Sequence, residues 1–425
     1  MNDYLLVNGG RPLKGELIVS GSKNGGLYAI AAALLTASPV TIHNIPEIAD
    51  VLEMAAVCRS IGSQVEIDGN TIQIHTPAIL SNSPPNDLVA ALRASFLVMG
   101  PLLARTGEAI CASPGGDVIG VRPLDVHLAG FRALGAEITQ EESSWVAKAK
   151  SLTGDRIFLD YPSVLGTVNV MFAATLSIGT TTIINAAAEP EVAMVAEMLN
   201  QMGANINGHG TSLINITGVK ELHGVEFEVK PDRIETGTYL LAGVATGGDI
   251  SIINGQPKEL DSLLSKFNEM GVKVEIFSSM EGIRVSALKT FHGIALQAVP
   301  YPGFPTDLHA PMAATLTQAI GVSTIHERVF DNRTAYVSQL RQLGAKIIDG
   351  GQTVIIDGGV PLIGTSVRAL DIRAGAAVVI GGLAATGTTK IFDIEHLDRG
   401  YAHLTERLVN LGADVKRCKE HIIGD

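Results

Sequence analysis

Apolar residues recur along the chain at helical spacing, then at strand spacing, and then the same order returns. Ile48, Val51, Leu52, Ala55 and Ile61 fall roughly on one helical face, with Gly62 placed to cap the helix end. Val65 to Ile67 then starts a strand, Asp68-Gly69 reads as a hairpin turn, and Thr71 to Ile74 alternates back. The helix-end phrase comes six times: SIGSQVEI (60–67), ALGAEI (133–138), QMGANI (201–206), EMGVKVEI (269–276), QLGAKI (342–347) and NLGADV (410–415). Its glycines, Gly62, Gly135, Gly203, Gly271, Gly344 and Gly412, are separated by 73, 68, 68, 73 and 68 residues. Spacing this regular means internal repetition.

A strand-like phrase precedes the helix at TIHNIPE (41–47), TIINAAAEPE (182–191), ISIINGQPKE (250–259) and TKIFDIEHLD (389–398). The repeating unit is therefore strand–helix–strand–strand, with a further buried helix between copies. This is an α/β chain built from α+β repeats. Six units exceed one core, and the interval pair 73–68 recurs across the middle, so they split three and three, near PDRIETG (231–237). A solenoid is the alternative, although a period near about 70 exceeds common solenoid repeats.

Composition narrows the function classes. Hydrophobic residues make up 46% and charged residues 17% of 425, as in a globular chain with large cores. The net charge of −12 argues against broad nucleic-acid or acidic-membrane binding. An anionic substrate would need a local cluster of arginines. Cys58, Cys111 and Cys418 show no metal-ligand spacing, which suits a reducing cytoplasm and gives no support for zinc. The N-terminal stretch lacks a basic-then-apolar leader, and the long apolar runs are broken by Arg93 and Arg373 or consist mostly of Ala and Gly, so they read as buried helices.

Candidate chemistry gathers at element ends. Ser113 to Arg122, SPGGDVIGVR, is a glycine-rich loop with Asp117 at its crown, and Arg122 and His127 beside it could hold an anion. Lys23-Asn24 opens a serine-capped helix, where an anion is welcome, although a solvated lysine fits equally. GxxxxGK[ST] and GxGxxG are both absent, against nucleotide hydrolysis and dinucleotide binding. Arg93 lies in the apolar helical stretch 87–104 and needs a partner, either Asp87, another carboxylate or a bound anion. Asp307 in YPGFPTD is either a carboxylate aimed into a cleft or a helix N-cap. Arg333, Asp371, Arg373 and Arg399 lie in the second half, while Lys23, Arg93 and Arg122 lie in the first. A cleft lined from both halves would be strongly cationic.

As a set, SGSKN, LRAS…GPLLAR, PGGDVIGVRPLDVH, AAAEPE, PDRIETGT, FPTD, NR, DIRAGAA and HLDRGY resemble the enolpyruvyl transferase superfamily, in its UDP-sugar branch, from about residue 4 to about residue 417. The resemblance implies a two-domain inside-out α/β barrel, three copies per domain, with residues 22–231 as the first domain and 1–21 plus 232–425 as the second. The implied reaction joins phosphoenolpyruvate to UDP-N-acetylglucosamine and releases phosphate, without metal or redox cofactor, at the start of peptidoglycan synthesis. By correspondence, Lys23, Arg93, Arg122 and Arg399 would hold the phosphate, and Arg333 and Arg373 the carboxylate. Asp307 would be general base. Asn24, Arg93, Arg122, Pro123, Asp125, His127, Ser163, Val164, Asp307 and Val329 would meet the UDP-sugar.

Three departures stand out. Asp117 occupies a loop position where the family commonly has cysteine, and it would serve either as proton donor to the enol methylene or in loop closure and product release. Carboxylic acids and thiols titrate near about 4 and about 8.5, so the two donate protons under different conditions. Fosfomycin, an epoxide that alkylates the thiol, would find no good nucleophile there. Tyr161 stands for a common lysine near the uridine, and Leu165 for a glycine. The alternatives are a related transferase with another acceptor and a silent UDP-sugar-binding homologue.

Overall fold

The computed structural model describes residues 3–117, 119–120, 122–277, 281–286 and 290–419, so Val118 and Val121 of the glycine-rich loop lie outside the described residues. It has two compact units. One comprises Gly21–Asp117 and Arg122–Lys230; the other comprises Met1–Ser20, Val118–Val121 and Pro231–Asp425.

The first unit carries three sheets. Val40–His43, Gln64–Asp68 and Thr71–His75 form the first with Glu226–Glu228, which pairs parallel to Val40–His43. Glu108–Ala112, Glu137–Glu141 and Ser144–Lys148 form the second. Arg156–Phe158, Thr180–Ile184, Asn205–Asn207 and Leu213–Thr217 form the third. The second unit has three four-stranded sheets. Its N-terminal strand Asp3–Asn8 lies between Thr388–Phe392 and Asp414–Lys419, antiparallel to both, and takes the place of the hairpin partner that the sixth copy lacks. Each four-stranded sheet therefore has one strand beyond the expected three. In five of the six sheets a short parallel edge strand completes the set.

Helices buried on all faces fill the interiors. Lys23–Ala32 and Val164–Thr175 serve the first unit, and Arg233–Ala245, His309–Leu316 and Ile372–Ala384 the second. Beyond a few polar side chains, most of them in the first turns, they are apolar on every side because almost no face meets water. Each fully enclosed side chain such as Leu27, Ile30 or Leu240 contributes about 1.5–3 kcal/mol over its exposed form. The second class of helix packs outside the first and ends at the repeated glycine. All six glycines have positive φ, between 80° and 116°, where a Cβ would be strained.

Three local expectations need correction. Leu52 is 58% exposed; only Ile48, Val51, Ala55 and Ile61 of the predicted face are buried. Asp68 pairs with Thr71, so the hairpin turn is Gly69-Asn70. The stretch 87–104 is not one helix: it runs as Asn86–Ala91, a 3-10 segment Arg93–Val98, then Met99–Thr106. Leu92 between the first two is extended, so Arg93 begins a new segment instead of sitting inside a helix.

Candidate active site

In the first unit, Ser22 caps the helix Lys23–Ala32, its Oγ accepting from the Gly25 N–H at 3.2 Å. This fixes Lys23 at the first helical position, buried, with Nζ 2.7 Å from Asp50 Oδ2. Asp50 opens the helix Ala49–Ile61 and is the carboxylate partner that sequence reasoning did not assign. Asn24 beside it is half-buried.

Arg93 has no ion pair with Asp87 or another carboxylate among the described residues. Its guanidinium donates to the carbonyls of Pro114, at 3.4 Å, and of Arg122. Arg122 in turn donates to the Asp117 carbonyl at 3.1 Å. The two arginines crowd one another: burial first, and then Arg122, pull Arg93 down to about 10. The glycines of the loop permit this approach. A Cβ on Gly115 would stand 1.7 Å from the Ala90 carbonyl oxygen, and one on Gly116 2.9 Å from Arg122 Nη2. Asp117 is half-buried in the same loop.

The helix Asp125–Ala133 follows, with Pro123 and Asp125 exposed. His127 is buried; its ring meets Phe96 edge-on at 5.2 Å, and its Nδ1 accepts from Asn169 at 3.1 Å. Burial and then Arg93 push it down to about 3, so the imidazole is neutral. It therefore contributes no positive charge toward an anion, against the sequence expectation. Asn169 also accepts from the Gly100 N–H and donates to the Phe96 carbonyl, tying the helix after Arg93 in place. Ser163 caps the helix Val164–Thr175, with Val164 half-buried behind it. Tyr161 is 39% exposed at the approach to this helix.

In the second unit the charges are arranged differently. Asp307 lies in a 3-10 turn, Thr306–Leu308, leading into His309–Leu316. Its Oδ1 accepts from Arg333 Nη2 at 2.6 Å and its Oδ2 from Arg373 Nη2 at 2.9 Å. Asp307 is thus not a helix N-cap by side chain; its carboxylate joins two segments. Asp371 is the N-cap of Ile372–Ala384, accepting from the N–H groups of Arg373 and Ala374. Arg373 is buried and also donates to the Tyr401 hydroxyl at 3.0 Å, its guanidinium lying 5.5 Å from that ring. Burial pulls Arg373 down, but Asp307, Tyr401 and Asp232 outweigh it and lift the guanidinium above its ordinary range. Arg399 is half-buried after the short helix Glu395–Asp398, and Val329 is half-buried two positions after the end of the strand Val322–Glu327. Also in this unit, the Asn332 N–H donates to the Ile119 carbonyl at 3.1 Å.

Among the described residues there is no group of three or more His, Cys, Asp or Glu side chains fit to hold a metal ion. No helix of these residues is long and apolar enough to cross a membrane.

A chain of α/β repeats with clustered arginines at helix starts defines a class. The sequence profile for EPSP synthase (3-phosphoshikimate 1-carboxyvinyltransferase) matches residues 7–408. The chain is 46% identical to UDP-N-acetylglucosamine 1-carboxyvinyltransferase 1 of Caldanaerobacter subterraneus, over 98% of this chain and 100% of that one. It is 43% identical to the UDP-N-acetylglucosamine 1-carboxyvinyltransferase of Desulfosudis oleivorans, over 98% and 99%. It belongs to the carboxyvinyl (enolpyruvyl) transferase family, and within it to the UDP-N-acetylglucosamine 1-carboxyvinyltransferases. Among solved structures, the enolpyruvyl transferase NikO from Streptomyces tendae matches with a TM-score of 0.88 at 26% identity, covering 98% of this chain and 99% of its own. EPSP synthase from Acinetobacter baumannii shares the fold, with a TM-score of 0.75 at 17% identity, covering 99% and 100%.

Proposed function

We propose that this chain transfers the enolpyruvyl group of phosphoenolpyruvate to the 3′-hydroxyl of UDP-N-acetylglucosamine, releasing phosphate, as the first committed step of peptidoglycan synthesis. One observation carries the reading: a chain of this family joins Asp307 of its FPTD turn to both Arg333 and Arg373.

Phosphoenolpyruvate brings a carboxylate and a phosphate. Lys23, Arg93, Arg122 and Arg399 neutralise the phosphate, and Arg333 and Arg373 take the carboxylate, each charge-assisted hydrogen bond contributing about 1.5–3 kcal/mol. The substrate carboxylate competes with Asp307 for the same two guanidinium groups. As it binds, Asp307 gives up donors and gains the capacity to accept the proton of the 3′-hydroxyl. The hydroxyl oxygen bonds to C2 of the enol ester while a proton is added to the methylene carbon, giving a tetrahedral phosphate ketal. A proton then leaves the new methyl group, the bond from C2 to the phosphate oxygen breaks, and the vinyl group returns on the sugar. No electrons are exchanged with a cofactor in either step. Asn24, Pro123, Asp125, His127, Ser163, Val164 and Val329 line the UDP-sugar, His127 through a neutral ring.

Buried helices and three sheets in each unit support reading each as an inside-out α/β barrel, one domain of residues 22–231 and one of 1–21 plus 232–425. The net charge of −12 supports small anions held locally, with no nucleic acid and no membrane insertion, in the bacterial cytoplasm. The deciding experiment is phosphate release from phosphoenolpyruvate with a panel of UDP-sugars. Release with UDP-N-acetylglucosamine is expected. Release with only another acceptor would make this a transferase of different specificity, with Tyr161 the first residue to examine; no release with any acceptor would reduce it to a binder.

A further inference from the structure

We infer that Glu327 is a positioning residue for the transfer, a buried carboxylate that holds the turn carrying Asp307 in register with the segment carrying Arg333. The inference rests on the proposed role of Asp307. Glu327 ends the strand Val322–Glu327 and is fully buried. Its Oε2 accepts from the Thr306 hydroxyl at 2.9 Å and from His309 Nδ1 at 2.8 Å. Its Oε1 accepts from the backbone N–H of Val329 at 2.8 Å and of Phe330 at 3.3 Å.

Each donor belongs to a segment the reaction uses. Thr306 is the chain neighbour of Asp307, and His309 opens the helix behind it. Val329 and Phe330 lead to Arg333, whose guanidinium lies 5.7 Å from the Phe330 ring. One side chain therefore sets the separation of two segments that meet again in the 2.6 Å contact between Arg333 and Asp307. Burial holds His309 below its ordinary range, so its ring is neutral and donates through Nδ1. Burial alone would raise Glu327, but His309, the Val329 N–H and Thr306 outweigh it and keep the carboxyl below its ordinary range. The other ring nitrogen of His309 is buried without a hydrogen-bond partner among the described residues, so Glu327 supplies the ring's side-chain hydrogen bond while Tyr336 packs against it edge-on at 5.5 Å. Enclosed ion and hydrogen-bond clusters of this kind add little stability over apolar packing of equal volume. What four directed bonds supply is geometry.

The test compares Thr306→Val, Thr306→Ser, Glu327→Gln and Asp307→Asn. Thr306→Val removes one donor and leaves the carboxylate its other three. A displacement of about 1 Å at a reacting group lowers turnover by up to about 100-fold, so kcat should fall about tenfold with the UDP-sugar KM and the melting temperature little changed. Thr306→Ser should restore turnover. Glu327→Gln should fall further, because its amide has one acceptor oxygen and cannot serve both the Thr306–His309 pair and the N–H groups of Val329 and Phe330. Wild-type turnover in Thr306→Val, or a Thr306→Ser variant as poor as Thr306→Val, would overturn the positioning role while Asp307→Asn remained inactive. Full activity in Asp307→Asn would instead remove the base, and the inference with it.

Discussion

Arg93, half-buried, and Arg373, buried, both lie near the start of a helical segment, but their surroundings have opposite sign. Arg93 donates to carbonyls and is pulled down to about 10, by burial and then by Arg122. Arg373 meets Asp307, Tyr401 and Asp232, which overcome its burial and push it up. An arginine crowded by another cation gains when an anion arrives; one already balanced by a carboxylate must exchange one anion for another. The chain thus holds two kinds of cation, one awaiting charge and one exchanging it.

The largest expected effect comes from Asp307 itself. Asp307→Asn keeps the shape but not the base, and general-base loss lowers kcat by about 10²–10⁴-fold with a modest change in UDP-sugar KM. Steady-state kinetics with both substrates checks this, and unchanged turnover would remove Asp307 as base. The arginines then separate by stability. Arg373→Ala strips a buried partner from Asp307 and should lower unfolding free energy by about 3–5 kcal/mol. Arg93→Ala relieves crowding, so its unfolding free energy should hold or rise, while its phosphoenolpyruvate KM increases about 10–100-fold for one lost charge-assisted contact. Urea unfolding beside kinetics reads both. Equal destabilisation of the two variants would erase the distinction between them.

A third buried charge extends the contrast. Glu235 is enclosed in the second unit, its Oε1 accepting from Arg407 Nη1 and its Oε2 from the Ser20 N–H at 2.9 Å. Burial pushes its carboxyl from 4.5 up to about 7, with Arg407 opposing. A carboxyl raised on folding holds its proton more tightly in the folded chain. Between pH about 4.5 and about 7 the folded state then binds more protons than the unfolded one, so this contribution falls as pH rises through that window. Glu235→Gln should flatten the decline, and urea midpoints at pH 5 and pH 8 for both proteins measure it. A slope identical in both would show Glu235 ionised throughout.

The repeat was legible because it is local. A glycine after an apolar stripe signals a cap, and all six candidates have the positive φ the cap needs. The break at Leu92 was not, since nothing in DLVAALRASFLVMG departs from helical composition; an extended residue there is imposed by packing. Leu52 failed for a related reason, lying at the margin of a stripe whose width only the neighbours decide. At the candidate site, Lys23, Asp307, Arg333 and Arg373 could be singled out as residue types at element ends. Their partners could not. Asp50 looks like any acid in a first helical turn, Glu327 like any polar strand end, and the neutrality of His127 follows from enclosure, which composition does not reveal.

The smallest expected effect is none at all, and it tests the loop. Alkylation by an epoxide such as fosfomycin needs a thiolate. Burial pushes the thiols of Cys58 and Cys111 up to about 12, so at neutral pH the reactive form is about 10⁻⁵ of either, and both are enclosed. Asp117 stands at the loop position, and a carboxylate is a far weaker nucleophile than a thiolate. Incubation with the epoxide and UDP-N-acetylglucosamine should leave turnover unchanged and add no mass at residue 117. Asp117→Cys should take up one epoxide equivalent and lose turnover in step, because a thiolate is a far stronger nucleophile toward an epoxide than a carboxylate. An adduct on Asp117 in the unaltered chain would show that the loop activates whatever nucleophile it carries, and the difference between a waiting and an exchanging cation would then extend to the loop as well.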